Sequence, residues 1–208
     1  MRITIIGTGN MARGIAARAV AGGHRVAFVG TDLGKAEELA DELTGEGAVE
    51  ATETVSGDLA VLATPYTEAP HALRQHAGEL AGTVVVDITN PIDISVLEPL
   101  DVSPFRSGAE AIADVAPAGV PVVKAFNTAF AGTLLAGDVA GRPLDILMAG
   151  DDQQGKELVG RLVRDGGMRP IDAGGLARAR ELEALGLLHM VIQASLGTQF
   201  ASAVKIVS

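Results

Sequence analysis

MRITIIGTGNMARGIAARAV, residues 1–20, decides the fold of this chain. Residues 2–6 form a short apolar run rich in β-branched side chains, which is typical of a buried strand. The glycine-rich turn GTGNMA follows directly, and residues 10–21 repeat apolar side chains at helical spacing as far as Gly22-Gly23. The stretch therefore predicts a strand, a tight turn and a helix in immediate succession.

The same alternation of strand and helix continues along the chain. Further strands are predicted at 25–29, 59–63, 83–88, 120–126 and 144–149, which are mostly apolar runs, together with a weak strand at 48–51 and a short one at 168–172. Helices are predicted at 33–43, 67–80 and 153–164, residues 177–203 are expected to be mostly helical, and the proline-bearing stretch 97–119 is expected to be irregular. Continuous apolar strands alternating with helices indicate a mostly parallel sheet covered on both faces.

We therefore predict an α/β fold, a Rossmann-type doubly wound, mostly parallel sheet with a small C-terminal helical lobe. The predicted division places a dinucleotide-binding Rossmann domain at 1–128 and a small lobe at 129–208. The lobe is expected to shape a pocket for a second substrate.

Composition excludes several classes of function. The 208 residues carry a formal net charge of −10, which argues against nucleic acid and anionic membranes as partners. The chain has no cysteine, so disulfides, thiolate metal sites and a cysteine nucleophile are excluded. The first residues enter a strand without the features of a signal peptide, and the expected location is cytoplasmic.

The opening turn matches the pattern G-x-G-x-x-A in the context that gives this pattern meaning. Gly7 allows the tight turn, Gly9 lets the backbone approach a pyrophosphate, and Ala12 takes the place of the third glycine, where helix and strand pack closely. Asn10 and Met11 complete the turn, and the free amide groups at the start of the helix suit phosphate oxygens. The turn predicts a dinucleotide site.

The end of the second strand bears on which dinucleotide binds. Gly30, Thr31 and Lys35 offer space, a hydroxyl and a cation to a 2′-phosphate, and Thr8 and Arg13 are further candidates. Asp32 points the other way, because a carboxylate here suits the free 2′-hydroxyl of NAD, although it equally suits a helix N-cap. The sequence favours NADP and leaves NAD open.

Polar and small residues follow three more predicted strands. Thr64 and Pro65 follow one, Asn90 and Pro91 follow the next, and Ala125 and Asn127 lie at the end of a third. Because doubly wound sheets bind ligands at the carboxyl ends of their strands, these loops are candidates for contact with ribose and nicotinamide. Ordinary turn chemistry explains any one of them, but the succession of three favours a site.

No constellation of side chains indicates acid–base, nucleophilic or metal chemistry. His71 and His76 on one predicted helix are expected to be solvated, and His189 is expected to be a core histidine. Asp151-Asp152 is expected to cap the helix that begins near residue 153. A solvated, internally paired helix face is expected for Arg178, Arg180, Glu181 and Glu183.

Several blocks together resemble the NADPH-dependent coenzyme F420 reductases: GTGNMARG, VGTDLGKAEEL, DITNP, VVKAFNT and GMRPIDAGGLARARELEAL. The same blocks resemble the NADPH-binding domain of the STEAP metalloreductases. The resemblance implies hydride transfer between NADP(H) and the deazaflavin F420, no catalytic side chain, a homodimer, and 2′-phosphate contacts at Thr8, Thr31 and Lys35. Asp32 departs from the family, which often has Arg at this position.

Two rival functions stay open at this point. One is an NADP(H)-dependent flavin or ferric reductase with a different electron acceptor, and the other is a dinucleotide sensor without turnover. An enzyme needs an open apolar slot beside the nicotinamide, whereas a sensor fills that slot. Phe126, Phe130 and Leu134 could line such a slot or plug it.

Overall fold

The computed structural model describes residues 1–43, 48–100 and 106–207. Its strands, in chain order, are β1 (Arg2–Ile6), β2 (Arg25–Val29), β3 (Val49–Ala51), β4 (Leu59–Leu62), β5 (Val84–Asp87), β6 (Ile92–Asp93), β7 (Glu98–Pro99), β8 (Val122–Ala125), β9 (Asp138–Val139), β10 (Arg142–Pro143), β11 (Asp145–Gly150) and β12 (Arg169–Asp172). Its helices are α1 (Asn10–Ala21), α2 (Leu33–Leu43), α3 (Ala69–Gln75), α4 (Gly108–Val115), α5 (Ala131–Ala136), α6 (Gln153–Asp165), α7 (Ala179–Val191) and α8 (Gln193–Leu196).

Eight of these strands form one sheet in the order β12-β11-β8-β5-β4-β1-β2-β3. β1 lies between β4 and β2 and is parallel to both, so the strand order reverses at β1. Every neighbouring pair is parallel except β8 with β11. The predicted Rossmann-type, mostly parallel sheet is confirmed, and the reversal puts the turn after β1 where such folds bind ligands.

Helices cover both faces of the sheet. α1, α2, α5 and α6 pack on one face, and α3, α4 and α7 pack on the other. α1 turns Ala12, Ile15, Ala16 and Ala19 into the core. A Cβ on Gly14 would lie 2.9 Å from Cβ of Leu134, so the small residue lets α1 and α5 approach closely.

The prediction of an irregular stretch at 97–119 is wrong, because α4 occupies Gly108–Val115. Ser107 caps α4 by accepting a hydrogen bond from the N–H of Glu110, and the Glu110 carboxylate accepts one from the N–H of Ser107. This capping box stabilises the helix between the prolines at either side. The predicted helix at 67–80 is also shorter, since α3 ends at Gln75 and a single 3₁₀ turn follows.

The C-terminal region joins the main sheet as well as adding helices. β11 and β12 extend the sheet beyond β8, while α7 and α8 lie between residues 179 and 196, and residues 201–207 are not helical. The division into domains at residue 128 stays a prediction. Within the described ranges, no helix combines the length and the apolar character needed to cross a membrane.

Candidate dinucleotide site

The turn after β1 has a backbone that only glycine tolerates at its first position. Gly7 has a φ of 120°, and a Cβ there would overlap the carbonyl oxygen of Ala63 at the end of β4. The N–H of Gly7 donates to the carbonyl of Val29 at 2.7 Å. The turn is thereby fixed between the ends of three strands, and Thr8 lies beside Gly30 at the end of β2.

Gly9 leaves open space at the start of α1. It is the N-cap residue, with extended backbone, and no side chain caps the helix. No heavy atom outside its chain neighbours lies within 4 Å of the position that a Cβ on Gly9 would take. The first amide groups of α1 and this open space together suit an approaching pyrophosphate, so the residues present fit a dinucleotide.

A cavity of about 690 Å³ extends from this turn across the strand ends. Its wall carries no Asp, Glu, Lys, Arg or His among the described residues. The lining residues are Gly9, Asn10, Met11, Ala63, Thr64, Pro65, Tyr66, Thr67, Ile88, Thr89, Asn90, Ile92, Ile94, Leu100, Asn127, Ala129, Phe130, Ala131, Gly132, Met190, Gln199 and Phe200. The volume lies within the range of small-molecule sites.

The predicted contact residues divide into two groups. Those that line the cavity are Gly9, Asn10, Met11, Thr64, Pro65, Asn90 and Asn127. Those outside its lining are Gly7, Thr8, Ala12, Thr31, Lys35, Pro91 and Ala125. Ala12, Pro91 and Ala125 are buried. Roles in binding for all of these residues stay predictions.

Asn90 and Asn127 lock two strand ends together. Nδ2 of Asn90 donates to the carbonyl of Asn127, and Nδ2 of Asn127 donates to Oδ1 of Asn90, both at 2.9 Å. Nδ2 of Asn127 also donates to the carbonyl of Leu182 in α7 at 2.8 Å. A Cβ on Gly186 would lie 2.9 Å from this pair, so α7 packs directly on it.

Three buried oxygens at the cavity wall have no hydrogen-bond partner among the described residues. They are Oγ1 of Thr64, Oγ1 of Thr89 and Oδ1 of Asn127. Buried polar atoms are nearly always satisfied, so unsatisfied ones at a cavity are suited to a ligand. Hydroxyl and amide oxygens here can bond ribose hydroxyls or a carboxamide.

A charged cluster that sequence reasoning missed lies beneath the strand ends. Nζ of Lys124 lies 2.8 Å from Oδ2 of Asp87 and 2.9 Å from Oε1 of Glu183, and it also donates to the carbonyl of Thr89. The Glu183 carboxylate accepts from the first two N–H groups of α4 at 2.9 and 3.1 Å. The cluster connects β5, β8, α4 and α7 below the cavity.

The prediction of a solvated, paired face is wrong for Glu183, because its carboxylate is buried against Lys124 and α4. It is confirmed for Arg178, Arg180 and Glu181, which are exposed and paired with one another. His76, predicted as solvated, is also buried, and its Nδ1 lies 3.0 Å from Glu79. The predicted core histidine is confirmed, since buried His189 bonds the carbonyl of Thr128. Asp152 caps α6 as predicted.

Aromatic side chains form part of the cavity wall. The rings of Phe130 and Phe200 meet edge to face with centroids 5.0 Å apart. Phe200 and the preceding Gln199 have φ values of 64° and 49°, which are strained for residues with side chains. Among the described residues of the wall, Tyr66 is the one with a titratable side chain, and burial, followed by the carboxylates of Glu183 and Asp87, raises its pKa.

Thr31 and Lys35, two of the residues predicted to meet a 2′-phosphate, are exposed and lie just after the end of β2. Asp32 precedes α2, and its Oδ1 accepts a hydrogen bond from the N–H of Lys35 at 3.2 Å, so the N-cap interpretation is confirmed. Nζ of Lys35 lies 3.8 Å from Oδ2 of Asp32. Arg13 pairs with Glu42, and Thr31 is exposed.

A reversed strand order, a glycine turn at the reversal and an open cavity along the strand ends define a dinucleotide-binding α/β protein. Residues 2–91 match the family model described as NADP oxidoreductase coenzyme F420-dependent. The F420-dependent NADP reductase of Methanocaldococcus jannaschii is 30% identical over 203 residues, which cover 89% of each chain. The chain belongs to the F420-dependent NADP reductase family.

Two further comparisons agree with this assignment. A crystal structure from Arthrobacter sp. FB24, provisionally assigned as an F420-dependent NADP reductase, superposes with a TM-score of 0.82, 30% identity and 99% coverage of each chain. Metalloreductase STEAP3 of Rattus norvegicus is 33% identical over 186 residues, but the matched region is 36% of that protein. The chain thus spans about a third of the metalloreductase and most of the reductases.

Proposed function

We propose that this protein catalyses hydride transfer between NADP(H) and the deazaflavin coenzyme F420. Membership of the reductase family supports this activity, because the matched relatives are named for it. The described residues of the cavity wall carry no charged group, which agrees with this activity, since the bound cofactors would supply the chemistry and the protein would supply position and exclusion of water.

The cavity beside the glycine turn is the observation that carries the proposal. Its volume of about 690 Å³ leaves room for a ring system next to a nicotinamide. Phe126 and Leu134 lie fully buried in the core, and Phe130 forms part of the cavity wall. None of these three side chains plugs the slot, which favours an enzyme over a sensor.

The proposed roles follow from where each residue lies. The amides at the start of α1 bind the pyrophosphate beside Gly9, and the hydroxyl of Thr64 and the amide of Asn127 hold the ribose and nicotinamide. Phe130 and Phe200 contact the second ring. The chemistry supplied by the bound groups is a hydride transfer between nicotinamide C4 and deazaflavin C5.

A direct assay tests this function. Purified protein is mixed with oxidised or reduced F420 and with NADP(H), and the absorbance of the deazaflavin is followed over time. We expect turnover in both directions. Dinucleotide binding without F420 turnover would refute the proposed reaction, and turnover with flavin or ferric acceptors instead would assign the alternative reductase function.

We also propose a homodimer in the cytoplasm, the compartment that holds the dinucleotide pool, with no nucleic-acid partner. Exposed apolar side chains on one side of α7 and α8, among them Leu188, Val191 and Leu196, support self-association. The acidic net charge of −10 supports the exclusion of nucleic acid. Light scattering coupled to size-exclusion chromatography measures the mass, and a monomer would refute the dimer.

A further inference from the structure

Both cations that the sequence offers to a 2′-phosphate are already paired with carboxylates. Lys35 lies beside Asp32 at 3.8 Å, and Arg13 contacts Glu42. The two cations and two carboxylates sum to zero formal charge. A subsite that selects the phosphorylated dinucleotide by charge needs a net positive excess, which these four residues do not provide.

Asp32 lies 20 residues after Ala12 and close to the end of β2, the region in which a dinucleotide site places an acid for a free ribose hydroxyl. The hydrogen bond from the N–H of Lys35 fixes its carboxylate at the start of α2. This start lies directly after β2, whose end contacts the glycine turn through Gly7 and Thr8. One oxygen of Asp32 caps the helix, and the carboxylate remains more than half exposed and able to accept a further bond.

Arg13 is drawn towards the other end of the same helix. Glu42 lies ten residues after Asp32, and a helix rises about 1.5 Å per residue, so the two carboxylates are about 15 Å apart along α2. Arg13 therefore pairs at the end of α2 remote from Thr31. Lys35 is left as the cation at the ribose end, and Asp32 is its partner.

We propose that Asp32 lowers the discrimination between the two dinucleotides, so that this protein binds NAD(H) within about tenfold of NADP(H). The inference rests on the proposed dinucleotide site and concerns its specificity. Lys35 attracts a 2′-phosphate and Asp32 repels it, while Asp32 accepts a bond from a free 2′-hydroxyl. Exposed ion pairs are weak, so a phosphate can displace Asp32 from Lys35, and NADP(H) binding persists.

Equilibrium binding tests this without any turnover. The Kd values of NADP⁺ and NAD⁺ are measured by titration calorimetry for the wild type, for Asp32→Asn and for Lys35→Met. Asn also caps helices, so Asp32→Asn keeps the start of α2 intact. We expect a wild-type ratio within tenfold, a ratio at least fivefold larger in favour of NADP⁺ in Asp32→Asn, and weaker NADP⁺ binding with unchanged NAD⁺ binding in Lys35→Met.

A matched variant controls for net charge. Asp114→Asn removes one negative charge on α4, where Asp114 pairs with Arg106, and is expected to leave the ratio unchanged within twofold. A wild-type preference for NADP⁺ above tenfold, or an equal response of Asp32→Asn and Asp114→Asn, would overturn the inference. If the protein binds both dinucleotides but does not turn over F420, the proposed reaction is refuted and the inference on specificity stands. If it binds neither dinucleotide, the proposed reaction and the inference on specificity are both overturned.

Discussion

Nζ of Lys124 lies 2.8 Å from Oδ2 of Asp87 on the neighbouring strand, and both side chains are fully buried. The two charges compensate each other inside the protein, because neither group reaches water. Removing one partner leaves a buried charge without compensation, which is more costly than losing a surface ion pair. The Lys124 cluster is therefore expected to dominate the stability of the strand ends.

Lys124→Met is expected to lower the free energy of unfolding by about 3–5 kcal/mol, because Asp87 and Glu183 lose their buried cation. Denaturant unfolding followed by circular dichroism measures the change. Lys35→Met is the control, since the exposed pair with Asp32 contributes less than about 1 kcal/mol. Equal losses in both variants would contradict the role given to burial.

Gly9→Ala separates binding from folding. The backbone of Gly9 is extended and a Cβ meets nothing within 4 Å, so stability is expected to change by less than about 1 kcal/mol, because the entropy gained with alanine offsets its weaker preference for the N-cap. Affinity for the dinucleotide is expected to fall at least tenfold, because the methyl group occupies the approach of the pyrophosphate. Wild-type affinity in this variant would place the pyrophosphate elsewhere.

Gly7→Ala is the complementary change. Here the φ of 120° and the overlap with the carbonyl of Ala63 are expected to reduce stability by about 2 kcal/mol or more. Thermal unfolding of the two glycine variants side by side distinguishes them. A stable Gly7→Ala protein would mean that the turn relaxes without difficulty.

Phe200→Ala and Phe200→Gly both remove the ring that meets Phe130. The glycine variant is expected to be more stable than the alanine variant by about 1 kcal/mol, since glycine adopts a φ of 64° without strain. Both are expected to raise the KM for the second substrate and to leave the Kd of the dinucleotide unchanged. Weaker dinucleotide binding in both variants would show instead that Phe200 contacts the dinucleotide.

Asp145 gives the stability a dependence on acid. Burial opposes its charged form, but hydrogen bonds from Arg169, Lys205 and the N–H of Ile206 outweigh burial and hold its pKa well below the usual value. A lowered pKa gives stability that is present above the unfolded pKa, about 3.9, and lost as pH falls below it. The stability gap between wild type and Asp145→Asn should therefore shrink from about pH 4 downwards.

Unfolding at several pH values between neutrality and pH 2 measures this gap. Glu53→Gln, a change at an exposed carboxylate, is the control and should follow the wild-type profile. A constant difference between wild type and Asp145→Asn at every pH would mean that the carboxylate acts through packing alone.

The elements that sequence reasoning located best are those with a local signal. α1 and α2 match their predicted bounds, because apolar periodicity marks both helices and the glycine pair Gly22-Gly23 ends α1. Three nearby prolines favoured an irregular stretch where α4 is found. The pattern S-x-x-E at 107–110 is the capping-box signal that predicts this helix.

The charged cluster was missed for a different reason. Lys124 and Glu183 are 59 residues apart, and no local pattern records a contact at that distance. The available signal was a lysine inside an otherwise apolar strand, which needs a buried partner. The strand-end loops could be predicted as a group, because parallel strands bring their carboxyl ends together. Phe200 and Met190 reach the cavity from the C-terminal segment, whose position no pattern of strands predicts.

The bond from Asn127 to the carbonyl of Leu182 also has a consequence for biosynthesis. A ribosome makes the chain from its N-terminus at about 5–20 residues per second. The glycine turn and both asparagines emerge well before Leu182, whose carbonyl accepts the bond from Asn127, and before Glu183, whose carboxylate contacts Lys124. Translation therefore completes this part of the candidate site only after residue 183 has been made, and a nascent chain that ends at residue 128 carries Asn127 without the bond to Leu182.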